Sequence, residues 1–435
     1  MYDLCIVGAG MIGSAAARHA TCTYGLNTCL VGPSEPKKGS SKCEIYGSYY
    51  DKGRITRCLD KDIVWSNLAQ ESIKRYRDLE EQSGSIPVRF KMAIYYSGIN
   101  FYYEVGNLMI GGEKYLKKTD EVATRNGIQT KKLDSKSLSE QFPYLTLRED
   151  TIGSAEINKA GYINPRRIVE AQKAMAAKQR CKLIDDVVNH VTRIVQSDGS
   201  YAMQVKTEGG EVILSKKVLL ATGAFTTFRN LLPGVKPDQI LSPLIVSLIE
   251  VEKTNLSIFR DMPCAIYYGR ANDVWEVPPS HRNKDEISFY LMPPIKYPDG
   301  RFYLKLGLQE AVSVRMTSLA DIKHWFEKGD PAIAQHVSKF TASLFKGVKF
   351  SSWKSDSSVI TETPTARPYI DMVHAQLGVA IGGNGYAAKS SDEIGRLAVT
   401  MVTDKWDSEL PRQVFKLKLL PYSAEATFTS HKGKL

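Results

Sequence analysis

Apolar positions early in the chain fall into two continuous runs separated by a stretch of small residues. Residues 2–7 read as a buried strand, 11–23 as a helix and 27–31 as a second strand, the spacing of a βαβ unit. Over residues 62–82, Trp65, Leu68, Ile73, Tyr76 and Leu79 recur at helical spacing between charges, which predicts an amphipathic helix. A strand over 88–96 is followed by a helix over 112–127 with a glycine stop and a short helix over 135–142 before Pro143. Asn164-Pro165 opens a further helix that runs to residue 178. Residues 182–188, 201–207 and 211–214 read as strands leading to the apolar strand 217–221 and Ala221-Thr222-Gly223. Beyond Leu232, strands over 245–251, 287–291 and 301–308 dominate. A strand over 377–382, a glycine turn and a helix over 388–402 then return the chain to its first domain.

The first strand ends in Gly8-Ala9-Gly10-Met11-Ile12-Gly13, so the chain turns into its first helix through G-x-G-x-x-G. Such a turn lets backbone approach a pyrophosphate at a helix N-terminus and lets helix and strand pack closely, which identifies a dinucleotide cradle. The acid that usually holds the ribose is missing from the next strand end, Gly32-Pro33-Ser34-Glu35, so Ser34, Glu35 or a backbone group must substitute.

A chain of 435 residues with 43% hydrophobic content can bury a large core and is long enough for two domains. The longest apolar runs fall short of the ~18 residues of a membrane span, and the N-terminal one enters the nucleotide turn, so a soluble, intracellular protein is expected. Seven cysteines without a C-x-x-C pair read as reduced thiols, and seven histidines without ligand spacing predict no metal site. The net charge of +11 comes from dispersed lysines, which disfavours nucleic-acid binding and favours a negatively charged small substrate.

Taken in order, these pieces resemble the D-amino-acid-oxidase superfamily of FAD enzymes, and within it the sarcosine-oxidase-like branch of amine and N-methyl amino acid oxidases. Besides the first glycine loop, Gly39-Ser40-Ser41 resembles the stretch beneath the flavin, and Gly53-Arg54-Ile55-Thr56-Arg57 resembles the family's T-R-x-x-R. Leu304-Lys305-Leu306-Gly307, Phe142-Pro143-Tyr144-Leu145, Ala160-Gly161-Tyr162-Ile163-Asn164-Pro165, Thr363-Pro364 and Gly383-Asn384-Gly385-Tyr386 extend the resemblance over nearly the whole chain.

The resemblance implies an α/β architecture, a Rossmann-like FAD-binding domain with a second α+β substrate domain on a mainly antiparallel sheet. The expected division is 1–88, 149–228 and 355–435 for FAD and 89–148 and 229–354 for substrate. FAD contacts are implied for Gly8, Gly10, Met11, Ile12 and Gly13, for Ser34, and for Gly39, Ser40 and Ser41. Further contacts are implied for Arg54, Val187, Ala221 and Gly223, and for Gly383, Asn384, Gly385 and Tyr386. Arg57 would clamp a substrate carboxylate, as suits a planar, always charged fork. Tyr290 aligns with a substrate-contacting tyrosine and reads equally as a core residue. Lys305 must point opposite to Leu304 and Leu306, to solvent or into the flavin cavity, and the resemblance places it at the flavin, where a cation favours oxygen reduction.

Four departures bear on this. Ser358 stands where covalent members carry a cysteine, which implies noncovalent FAD. Gln309 replaces a histidine, and Ala387 replaces a carboxylate-binding lysine, the nearest lysine being Lys389, turned away on a helix. A tyrosine-rich insertion over 42–52 either lines the pocket or forms an external loop.

The implied activity is oxidation of a C–N bond in an amino acid or secondary amine carrying a carboxylate, with O2 reduced to hydrogen peroxide, by a monomer or small oligomer. Alternatives are a dehydrogenase with another acceptor, a silent flavin-binding scaffold and a nicotinamide-linked enzyme. Gly433-Lys434-Leu435 resembles a peroxisomal address, so the expected compartment is cytoplasmic or peroxisomal.

Overall fold

The computed structural model describes residues 1–36, 44–84, 88–90, 93–95, 98–270, 286–308 and 316–427. Gly39, Ser40, Ser41, Gln309 and Gly433-Lys434-Leu435 lie outside the described residues.

Strand Tyr2–Val7 sits at the centre of an eight-stranded sheet, parallel to Thr28–Val31 on one side and to Val212–Leu220 on the other. Thr28–Val31 in turn pairs in parallel with Lys182–Ile184. The period-2 pattern divides the first strand between two cores. Leu4 and Ile6 pack under helices with Ala16, Ala17, Leu397 and Ala398, while Cys5 and Val7 share a second cluster with Val191, Met203 and Val205 of the same sheet. The first half of Val212–Leu220 pairs with Tyr201–Thr207 and its second half with Leu377–Ile381.

Several predicted elements are subdivided. The first helix spans Met11–Arg18 and ends in a wider turn, His19–Thr23. The amphipathic segment breaks at Arg75 into Ile63–Lys74, capped by Asp62 accepting from the Val64 and Trp65 amides, and Tyr76–Gln82. The break turns the Arg75 guanidinium to the Asp392 and Glu393 carboxylates at 2.6 and 2.5 Å. The strand expected over 88–96 is a hairpin of Val88–Phe90 and Ala93–Tyr95. The sequence reading also passed over Val188–Val195, which pairs with Tyr201–Thr207.

A second eight-stranded sheet is antiparallel except where Cys264–Arg270 runs parallel to Asn107–Gly111. At its centre Phe302–Leu308 lies between Ile240–Val251 and Glu286–Lys296. Leu304, Leu306 and Leu308 face a core with Val337 and Phe340 of helix Pro331–Ser343. Between the two large sheets in chain order, Arg54–Thr56 joins a three-stranded sheet with Gly161–Ile163 and Tyr102–Tyr103. The fold is therefore mixed α/β with one mainly parallel and one mainly antiparallel sheet. Among the described residues no helix is long and apolar enough to cross a membrane.

Candidate active site

The glycine turn forms one wall of a cleft. Gly8, Gly10, Met11 and Ile12 line it, with Gly32 and Pro33 from the second strand end, Val187, Ala221 and Gly223, and Gly383 from the last glycine turn. Gly13 lies behind, where a Cβ would fall on the Gly8 carbonyl oxygen, and Gly8 itself has φ +107°, so both positions demand glycine. Gly10 differs: a Cβ there would project towards the Tyr49 ring, 3.8 Å away, and would fill the cradle. Helix Met11–Arg18 has no side-chain cap, so its first amides are open to an anion. These features fit a dinucleotide.

At the rim, Ser34 is engaged rather than free. Its amide and hydroxyl both donate to the Asp185 carboxylate at 2.6 Å. Asp185 follows strand Lys182–Ile184, whose Ile184 is in register with Val31, which sets this carboxylate beside the end of the second strand. Glu35 forms a two-pronged pair with Arg166 at 2.6 Å. In the opposite wall, Asn384 adopts φ +49°; its side-chain oxygen accepts from the Thr363 amide at 2.9 Å and its amide nitrogen donates to the Gly382 carbonyl. Gly385 also has positive φ, and Tyr386 stacks on Trp65 as the helix Ala387–Val402 begins. Ser358 is half-buried opposite Leu244. Among the described residues no cysteine lines the cleft.

Tyr49 and Tyr50 line the cleft, whereas Arg54, Arg57, Tyr290 and Lys305 do not; these belong to two buried ionic clusters built from residues on either side of strand Arg54–Thr56 in the chain. In the first, Asp51 pairs with both Arg54 and Lys305, and its other oxygen accepts from the Tyr297 hydroxyl at 3.0 Å. Lys305 is fully buried on the face opposite Leu304 and Leu306, where it also donates to the Gly53 carbonyl at 3.0 Å. Burial and then the Arg54 guanidinium pull its ammonium well below the usual lysine range, against the Asp356 carboxylate. The direct Asp51 contact favours the charged form. Tyr290 lies 5.8 Å beneath Lys305, and burial pushes its hydroxyl up to about 12. Gly307 of the L-K-L-G segment faces that ring, and any side chain there would overlap it.

In the second cluster, Asp60 accepts from Lys389 at 2.6 Å and from Arg57 at 3.2 Å. Burial opposes ionisation of Asp60, but Lys389 and Arg57 hold its carboxyl below the usual range. Burial in turn pulls Lys389 down to about 8, against Asp60. Tyr386 and Tyr268 close this cluster, and each other's proximity and burial raise the Tyr386 hydroxyl well above its ordinary value. The Arg57 Nε is buried and makes no hydrogen bond, so one donor of its fork is unspent.

Each cluster sets one carboxylate in direct contact with two basic side chains in a water-poor setting. Arg54 and Arg57 therefore serve different clusters. Lys389 does turn away from Ala387, which lines the cleft, but the turn carries it to Asp60 beside Arg57. Asp51, Asp60 and Asp185 escaped the sequence reading. Only the i,i+3 spacing of Asp51 to Arg54 and of Arg57 to Asp60 hinted at two of them.

Comparison with solved structures places the fold beside NikD, described as an unusual amino acid oxidase essential for nikkomycin biosynthesis. The TM-score is 0.69 at 14% identity over 99% of each chain. L-proline dehydrogenase from P. horikoshii is similar at TM-score 0.65 and 16% identity, covering 97% of this chain and 96% of that one. In sequence, the chain is 26% identical over 187 residues to monomeric sarcosine oxidase of Streptomyces avermitilis. That match spans 42% of this chain and 42% of the relative's length. The model of the FAD dependent oxidoreductase family matches residues 3–401, from the first strand through the last long helix, and by that match the chain belongs to this family.

Proposed function

We propose that the protein is an oxidase that uses noncovalent FAD to oxidise a C–N bond in an amino acid or secondary amine bearing a carboxylate. The observation that carries this reading is the buried Arg57–Asp60–Lys389 cluster, whose second cation and unpartnered Arg57 Nε suit a substrate anion. Arg57 and Lys389 hold the carboxylate and thereby orient the amine. Gly8, Gly10, Met11 and Ile12 hold the pyrophosphate, with Gly13 keeping the helix close behind them, and Ser34 with Asp185 holds the adenosine ribose. Arg54, Val187, Ala221, Gly223 and the turn Gly383, Asn384, Gly385 and Tyr386 bound the rest of the cofactor. Bound FAD supplies the acceptor for two electrons and a hydrogen from the carbon next to nitrogen. Tyr290 shields that carbon from water, and the helix N-terminus after Tyr386 favours negative charge beside it. The substrate leaves as an imine, which water splits into an aldehyde or oxo acid and an amine. Lys305 stabilises negative charge developing on dioxygen as it gains two electrons and two protons to become hydrogen peroxide.

The contact between Lys305 and Asp51 favours a second reading, in which this cation is partly neutralised and another acceptor replaces oxygen. An absorbance spectrum before and after acid precipitation, followed by anaerobic addition of N-methyl and D- or L-amino acids, tests the proposal. Released flavin bands that one compound bleaches, with peroxide on readmission of air, are expected. A colourless protein that takes up no FAD refutes it, and bleaching without peroxide selects the second reading.

A further inference from the structure

The turn between Arg57 and Asp60 is held from outside by a residue the proposed chemistry does not use. Glu156 ends strand Ile152–Glu156 of the second large sheet and is buried. One carboxylate oxygen accepts from the Cys58 amide at 3.0 Å and the other from the Leu59 amide at 2.9 Å. Cys58 and Leu59 are the two residues between Arg57 and Asp60. A single planar carboxylate thus holds two of the three peptide units that set the spacing of the guanidinium and the carboxyl. Its charge carries a desolvation cost, since burial raises the Glu156 pKa against the two amide bonds.

We propose that Glu156 is a positioning residue for the anion clamp, holding Arg57 and Asp60 at the separation that lets Arg57 and Lys389 meet one carboxylate. This rests on the reading that those two cations bind the substrate anion. Glu156 and Cys58 also line a second cavity, bordered by the polar side chains of Gln70, Lys131 and Lys159. Water in that cavity can serve the Cys58 amide when the carboxylate is removed, so position is lost rather than fold. In Glu156→Gln one oxygen still accepts, but the amide nitrogen that replaces the other oxygen presents N–H to a backbone N–H, which displaces the turn.

The test is titration of the FAD-loaded protein with benzoate, a simple carboxylate, read from the flavin absorbance. Glu156→Gln is expected to weaken benzoate binding about tenfold, the scale of one hydrogen bond to a charged group, while FAD retention and Tm hold. In an Arg57→Met background the same change should cost nothing further, because the group it positions is gone. Equal losses in both backgrounds, no loss in either, or loss of FAD or of folding in Glu156→Gln overturns the proposal. If Arg57→Met and Lys389→Met each leave benzoate binding intact, the clamp itself is wrong, and the positioning role falls with it.

Discussion

Lys389→Met removes one of two cations from a buried cluster without opening a large void. Lys389 is 2% exposed, and its ammonium stands 2.6 Å from the Asp60 carboxylate that Arg57 also contacts. With Lys389 gone, Arg57 remains in contact with Asp60, and one of the two cationic donors for an anion disappears. A carboxylate about 4 Å from an ammonium gains roughly 4 kcal/mol at an effective dielectric of about 20, before desolvation is counted. The net contribution of a hydrogen bond to a charged group is about 1.5–3 kcal/mol, so benzoate binding to the FAD-loaded protein should weaken about 10- to 100-fold. The wild type should show a matching pH dependence. Burial lowers the Lys389 pKa to about 8, so the ammonium is charged below that pH and affinity for an anion falls as pH rises through it. In Lys389→Met that limb should vanish. Flavin absorbance titrations across this range make the measurement, with Tm as the check on folding. Unchanged affinity and an unchanged limb in a folded variant would refute the assignment of Lys389 to the anion.

Other perturbations separate the remaining parts. Lys305→Met should leave flavin reduction by substrate intact and slow reoxidation by oxygen about 100-fold, the scale of losing a preorganised charge-stabilising group; stopped-flow reoxidation at the wild-type rate removes Lys305 from that role. Asp185→Asn should weaken FAD retention about tenfold while binding of flavin mononucleotide, which lacks the adenosine ribose, stays the same, and equal FAD affinity by fluorescence titration detaches Asp185 from the cofactor. Asp392 is buried among Arg18, His19, Arg75 and Gln172; burial opposes its ionisation, but Arg18 and His19 hold its carboxyl well below the usual range. Because the folded value lies below the unfolded one, the stability it contributes is complete above the unfolded value of ~3.9 and is lost as pH falls through the folded one. Asp392→Asn should therefore cost about 3–5 kcal/mol at neutral pH and flatten the acid limb of Tm, and a parallel limb in the variant would count against the network.

The nucleotide cradle was legible because its signals are local. An apolar strand, G-x-G-x-x-G and an alanine-rich helix constrain one another within a few residues, and steric need for glycine at Gly8 and Gly13 is written at those positions. The same holds for the opposition of Lys305 to Leu304 and Leu306, which the pleat dictates. The break at Arg75 was not legible, since the apolar period continues across it and the reason for turning is a carboxylate more than three hundred residues away. Val188–Val195 was missed because it buries only Val188 and Val191 and becomes a strand through its neighbour.

For the candidate site, resemblance to family motifs singled out Arg57 and Lys305 in the sequence, yet their partners came only with the fold. Asp51 lies 254 residues from Lys305, Asp60 329 from Lys389 and Ser34 151 from Asp185. Residue spacing sets which way neighbouring side chains point within one strand or helix. Which charge meets which depends on sheet order and register, and the burial that gives those meetings their energy exists only once the sheets and helices have closed around them.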